Sequence, residues 1–150
     1  MHNLFEYIDE LPKLPIEIED EIIRSTIINK NIFVYNTYEN YKSYAATLEL
    51  KKFIEPFFKN YIIKVQVMQN TLHIHQDIGR KIAYNYLIKG GGLNVETCFY
   101  NNKLKVIQQI KIEERRWHRL NVSVFHNVIN LESPRIALTV SPQEINWLHK

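Results

Sequence analysis

The stretch NTLHIHQDIG, residues 70–79, sets three potential metal ligands on every second residue: His73, His75 and Asp77. Its apolar–polar alternation reads as a β-strand, and a strand sends alternate side chains to one face. Two imidazoles and a carboxylate then point the same way. Imidazole and carboxylate together are usual donors for catalytic first-row metals. The competing reading is a strand with one solvated face, on which His and Asp are merely polar.

Two later positions bear on that choice. In NVSVFHNV, residues 121–128, Val122, Val124 and His126 fall on one face by parity. A histidine after two inward valines is either a ligand or a satisfied core side chain. In ESPRIALTVS, Arg135 opens a strongly apolar strand. Burying a guanidinium without a partner is costly, so Arg135 belongs at the surface or against an anion. The order is His75-x-Asp77, His126 about fifty residues on, and Arg135 nine positions later. Two histidines and one carboxylate leave three adjacent metal positions open, which suits Fe(II) that binds a cosubstrate and then oxygen. A nearby arginine grips a carboxylate through two parallel hydrogen bonds. Metal plus anchor is the minimum set for holding a 2-oxo diacid against iron.

The elements that must position these residues follow from the rest of the chain. The 150 residues are one domain's worth, and 45% are apolar, so the chain is globular. Residues 1–45 are the least readable: Pro12 and Pro15 break the first segment, a helix fits 19–28, and 29–41 look like strand and loop. Residues 46–58 carry mostly helical apolar spacing, with Pro56 marking the last turn. Then come seven runs rich in β-branched and aromatic residues: YIIKVQVMQ, TLHIHQD, KIAYNYLIKG, NVETCFYN, KLKVIQQIKI, HRLNVSVFHNV and RIALTVS. Turn signals separate them, among them the glycines at 90–92. That glycine run lacks the strand–loop–helix context of a phosphate site and reads as a tight strand connection. The pattern predicts a mainly β fold with N-terminal helices, a jelly-roll-type double sheet or small barrel. Residues 1–59 are the helical and irregular support, and 60–142 the β core, of a single domain.

Composition narrows the function classes. The formal charge of +3 is small, and the densest basic cluster, EERRWHR at 113–119, holds its own acids. That is not the footprint of a dedicated nucleic-acid binder. His118, inside this cluster, is expected at the surface. No run approaches the roughly 20 apolar residues of a membrane span, and no signal peptide is visible. The one cysteine, Cys98, cannot form an internal disulfide. These features fit a reducing cytoplasm; the oligomeric state is not legible.

HQD at 75–77, RKIAYNYLIKGG followed by VETCFY, and FHNVIN followed by RIALTVS together carry a resemblance. Over roughly residues 60–142 the chain resembles the Fe(II)- and 2-oxoglutarate-dependent oxygenases, in particular small prolyl-hydroxylase-like members, some of them phage-encoded. The resemblance implies a double-stranded β-helix, with iron on His75, Asp77 and His126. It implies Arg135 on the distal carboxylate of 2-oxoglutarate, ascorbate as an aid to turnover, and a peptide side chain or small molecule as substrate. Tyr84 and Tyr86 share a face of their strand, and similar proteins use a tyrosine from this strand on 2-oxoglutarate; ordinary aromatic packing is the alternative. The chain departs from the pattern at Ala137, where the family often has Ser or Thr, while Thr139 lies on the same face. It is also short for a large lid over the substrate.

Two other readings stand beside this one. A cupin-type metal enzyme without 2-oxoglutarate would use His73 with His75, but it wants a Glu where Gly79 stands. His73 is otherwise outside the ligand set, near the substrate or idle. The last reading is a non-catalytic β-sandwich that serves as a binding module.

Overall fold

The computed structural model describes residues 3–28, 34–37 and 41–145. In chain order the elements are β1 (Phe5–Tyr7), α1 (Ile16–Ile23), a π-helical turn (Arg24–Ile28), β2 (Val34–Thr37) and β3 (Tyr41–Ala45). There follow α2 (Leu48–Ile54), β4 (Phe58–Met68), β5 (Ile82–Lys89), β6 (Glu96–Tyr100) and β7 (Val106–Ile110). The chain closes with β8 (Trp117–Asn121), β9 (Phe125–Ile129) and β10 (Arg135–Ile145). Of the Asn-rich segment expected as strand and loop, residues 29–33 and 38–40 lie outside the described residues.

Both helices begin where local chemistry favours it. Pro15 precedes the first turn of α1, and Glu17 and Glu19 sit in that turn, where the helix dipole favours negative charge. The helix expected at 19–28 therefore starts at Ile16, and its last five residues widen into the π turn. Thr47 caps α2 by accepting from the Leu50 N–H at 3.3 Å. Leu50 and Ile54, one turn apart, bury its inner side. This helix is shorter than the expected 46–58, and Pro56 lies just beyond its C-cap Glu55.

The strands form two antiparallel sheets. The larger has the order β1-β8-β5-β10-β4-β3-β2, the smaller β7-β6-β9. The stretch expected as a strand at 71–77 is a loop that touches β9 through one isolated bridge, His75 to His126. From β4 through this bridge to β10 the chain passes repeatedly from one sheet to the other. That winding is a double-stranded β-helix, a jelly roll. The run HRLNVSVFHNV splits into β8 and β9. The Asn121 side chain accepts from both the N–H and the hydroxyl of Ser123, which turns the chain there. His126 therefore owes its direction to β9 pairing with β6, where it opposes Phe99, and not to a strand shared with Val122.

The central strands β5 and β10 of the larger sheet are buried on both faces. Ile63 and Val65 of β4, Tyr84 and Tyr86 of β5, and Leu138 and Val140 of β10 join α1 and α2 in one core. Ala83 and Leu87 of β5 turn the other way, into a second core with Phe99 and Leu120, and Ala137 packs against it. This second face is the barrel interior. Thr139, Asn85 and His118 stand on it in one row, directly opposed across β10, β5 and β8.

His118 is thus not at the surface; it is 2% exposed. Strand pairing with β1 and β5 fixes its direction, and Phe5 covers the ring at 5.6 Å between centroids. Its neighbours Arg115, Arg116 and Arg119 reach acids instead, at Glu19, Asp9 and Glu6. Burial pushes the His118 imidazole down to about 3 from its usual 6.5. The unfolded chain takes up this proton below pH 6.5 and the folded chain does not. The contribution of neutral His118 to stability is therefore complete above pH 6.5 and is lost as pH falls toward 3. The slope is about 1.4 kcal/mol per pH unit for one proton. Urea midpoints of wild type and His118→Gln between pH 4 and 7 test this. The variant should lose one proton's worth of slope, and parallel curves would refute the assignment.

Candidate metal centre

Residues His75, Asp77 and His126 converge from two directions. The bridge between the loop and β9 rests on two backbone hydrogen bonds, His75 N–H to His126 O at 3.1 Å and His126 N–H to His75 O at 2.9 Å. The two imidazoles come to 4.4 Å between centroids. Asp77 follows two residues later, its N–H held by the Val122 carbonyl at 2.9 Å. The ligand atoms of all three lie within 4.8 Å of one another. His75 Nε2 is 3.9 Å and His126 Nε2 3.7 Å from Asp77 Oδ1. Adjacent donors on an ion with bonds of about 2.1 Å stand roughly 3.0 Å apart, so the two histidine–aspartate separations need to close by under about 1 Å and no pair by more than about 2 Å.

The protonation pattern suits a metal. His75 Nδ1 lies 2.9 Å from the His73 carbonyl, and His126 Nδ1 lies 2.7 Å from the Val124 carbonyl. A carbonyl only accepts, so both Nδ1 atoms carry a hydrogen, and both Nε2 atoms are left to face Asp77. Burial, with lesser help from His75 and Arg80, holds the His126 pKa below its ordinary value. Neutral imidazole is the form that binds metal.

The remaining expected site residues divide. Arg135 is on the interior face of β10, the parity of Ala137 and Thr139, and is 8% exposed. Its Nη1 donates to the Gly90 carbonyl at 3.0 Å. Among the described residues it makes no ion pair, and burial pushes its pKa down to about 10, a group still fully charged near neutrality. The glycine run serves this position: Gly91 has φ +90°, and a Cβ there would stand 2.5 Å from Leu131 Cδ2. Tyr84 and Tyr86 do not line the site. Both face the helix layer, where the Tyr86 hydroxyl donates to Glu19 at 3.2 Å and accepts from the Leu14 N–H. Strand parity kept them together, as expected, but on the far face. Asn85, between them in sequence, is the polar β5 residue that faces inward, and its Oδ1 is buried without a hydrogen-bond partner among the described residues. The His73 side chain is exposed and outside the converging set; its carbonyl, not its ring, contributes.

One participant was absent from the sequence reading. Arg80 donates from Nε to Asp77 Oδ2 at 2.7 Å, and from Nη1 to Thr139 Oγ1 at 2.8 Å and Ser141 Oγ at 2.9 Å. The available signal was an Asp and an Arg three apart across a glycine. A cavity of about 310 Å³ opens elsewhere, beside Asp9, Lys13 and Trp117, but Arg115 and Arg116 on its rim are already paired with acids.

No family model matches the sequence, and no curated protein matches it. Among solved structures, the fold is similar to a prolyl hydroxylase from Trichoplax adhaerens in complex with a hypoxia inducible factor oxygen degradation domain peptide fragment. That likeness has a TM-score of 0.64 at 14% identity, over 92% of this chain and 82% of the other. Bacillus subtilis oxalate decarboxylase gives 0.49 at 13% identity, over 73% of this chain and 27% of the other. Hazelnut (Corylus avellana) vicilin gives 0.49 at 9%, over 75% and 31%. At these identities the likeness to the hydroxylase establishes the double-stranded β-helix fold.

Anaerobic Co(II) titration tests the ligand set. Asp77→Ala and His126→Ala should each weaken binding beyond the roughly 10–100-fold typical of groups that only support ligands. His73→Ala keeps the carbonyl that orients His75, so it should bind like wild type. A dead His73→Ala beside an active Asp77→Ala would move the site to the His73/His75 pair.

Proposed function

We propose that this protein is an Fe(II)- and 2-oxoglutarate-dependent oxygenase that hydroxylates a peptide side chain or a small molecule. The observation that carries the reading is Arg135, a buried cation on the interior face of the barrel that makes no ion pair among the described residues; Glu114, which accepts from the Gly90 N–H, attracts its charge without pairing with it. A desolvated, unpaired guanidinium is costly to maintain. A carboxylate that enters the barrel offsets that cost through a bidentate, charge-assisted pair.

His75, Asp77 and His126 would hold the iron, the histidines through Nε2 and the aspartate through a carboxylate oxygen. When bound, iron and 2-oxoglutarate supply the oxygen chemistry: decarboxylation to succinate and insertion of one oxygen atom into a C–H bond. The chain supplies placement. Arg135 receives the distal carboxylate, and Asn85 Oδ1, which has no hydrogen-bond partner among the described residues, faces the same interior. Ala83 and Ala137 keep the interior face of the two central strands small. Leu87, Phe99 and Val122, all buried, give that interior an apolar lining. The similar prolyl hydroxylase was solved with a peptide, which favours a peptide side chain among the substrates. The N-terminal elements belong to the same unit in this reading, since β1 and β3 extend the larger sheet.

The deciding measurement is 2-oxoglutarate binding to the Co(II)-loaded protein. Arg135→Ala should weaken it roughly 10- to 100-fold, the worth of one charge-assisted pair, with Co(II) affinity unchanged. Arg135→Lys should recover only part, because an ammonium lacks the planar fork. Equal 2-oxoglutarate affinity in wild type and Arg135→Ala would remove the cosubstrate from the reading. With Fe(II) and ascorbate, wild type should release succinate slowly even without its substrate.

A further inference from the structure

The turn at residues 77–80 brings a guanidinium, that of Arg80, to the candidate metal centre. Gly79, at φ +92°, reverses the chain there, and Ile78 points fully into solvent. No heavy atom lies within 4 Å of a Cβ built on Gly79, so the demand on that position is conformational rather than steric. The reversal returns Arg80 to the carboxylate three residues before it. Its Nε takes Asp77 Oδ2, while Nη1 spans to Thr139 and Ser141. Those two residues lie on β10, a central strand paired on both sides, by β4 and by β5. Arg80 is therefore fixed at one end by the sheet and presents its other end to one oxygen of Asp77.

We propose that Arg80 is a positioning residue, which holds Asp77 Oδ2 away from the metal so that the carboxylate donates through Oδ1 alone. This rests on the metal-centre reading above. A carboxylate has two equivalent oxygens and rotates readily, and taken bidentately it occupies two metal positions instead of one. A chelating cosubstrate needs two of the three positions that the His–Asp–His set leaves open, and oxygen needs the third. Both histidine–carboxylate separations in the structure are measured to Oδ1, and Oδ2 is turned to Arg80. The pair is partly exposed, with side chains 26% and 20% accessible, so its contribution to stability is small. What it fixes is orientation.

The inference separates from a merely structural role by sign. Loss of a structural support weakens metal binding. Loss of Arg80 removes a nearby positive charge and frees a second donor oxygen, so Co(II) should bind at least as tightly as in wild type. Its visible ligand-field bands should change, and 2-oxoglutarate should bind about tenfold or more weakly, the loss expected when a ligand's supporting partner is removed. Arg80→Ala, Arg80→Lys and the double variant Thr139→Val with Ser141→Ala are compared under anaerobic Co(II) titration. The lysine variant keeps a donor for Oδ2 without the span to β10 and should fall between. The double variant leaves Arg80 in place but cuts its anchor, so it carries the same test should Arg80→Ala fail to fold. Wild-type bands and wild-type 2-oxoglutarate affinity in Arg80→Ala and the double variant would overturn the proposal. Weaker Co(II) binding in Arg80→Ala, with bands unchanged, would reduce Arg80 to a structural support. Failure of wild type itself to bind Co(II) overturns the metal centre and this proposal with it.

Discussion

Two backbone hydrogen bonds between His75 and His126 hold the candidate centre together. They make these residues a directly opposed antiparallel pair, in which side chains project to the same side. Fifty-one positions of chain are thereby closed into one imidazole pair, and Asp77 joins by parity two residues along. A slip of one residue would send His75 to the opposite face and bring Ile74 or Gln76 opposite His126. Much of the surrounding structure serves to prevent that slip. β9 is locked to β6 through five opposed pairs, with fully buried Phe99 under His126. Asp77 N–H and Val122 N–H tie the loop to the β8–β9 turn, through the Val122 and Lys81 carbonyls respectively.

How legible this was in the sequence depends on what each residue's neighbours supply. Five of the seven runs became β4, β5, β6, β7 and β10 because turn residues bound them and β-branched side chains fill them. The HxD segment read as a strand since its alternation is real, yet only His75 makes ladder bonds. Alternation reports which side chains share a face, and says nothing about how many backbone groups find partners. Parity correctly joined Tyr84 with Tyr86, but β5 is buried on both sides, so no polar face marks the interior. What settles the direction is a partner far away in the chain: Glu19 on α1 receives the Tyr86 hydroxyl. His118 misled for a related reason. Its charged neighbours each find an acid on another element, and composition alone cannot show that the residue between them turns inward.

The two faces of the larger sheet have different chemistry. The helix face takes the bulky residues: Tyr86, Trp117, Leu138 and Val140 are packed against α1 and α2 with hardly any exposure. The interior face combines small residues with polar ones: Ala83, Ala137, Asn85, Thr139 and Arg135. Sheet burial on one side thus supplies stability, and leaves the other side free to hold groups that would destabilise an ordinary core. A stabilised scaffold carrying a costly interior is the usual division between fold and site.

Charge sharpens that division. Glu19 is as deeply buried as Arg135, but Arg115 Nε meets it at 2.8 Å and the Tyr86 hydroxyl meets the same oxygen. Arg135 meets a carbonyl. Its neighbour His118 stays neutral, and Asp77 is already balanced by Arg80. The interior therefore carries, among the described residues, a positive charge without an ion pair at one end, attracted by Glu114 but not bonded to it, and a His–Asp–His set with its own internal ion pair at the other. A neutral molecule entering this space leaves Arg135 desolvated and unpaired. In the proposed reading, an acid with a second donor group would satisfy both ends at once, one through the guanidinium and the other through a metal. The proposed preference for a short dicarboxylate over a neutral ligand thus rests on where the charge without an ion pair lies, without appeal to the fold that carries it.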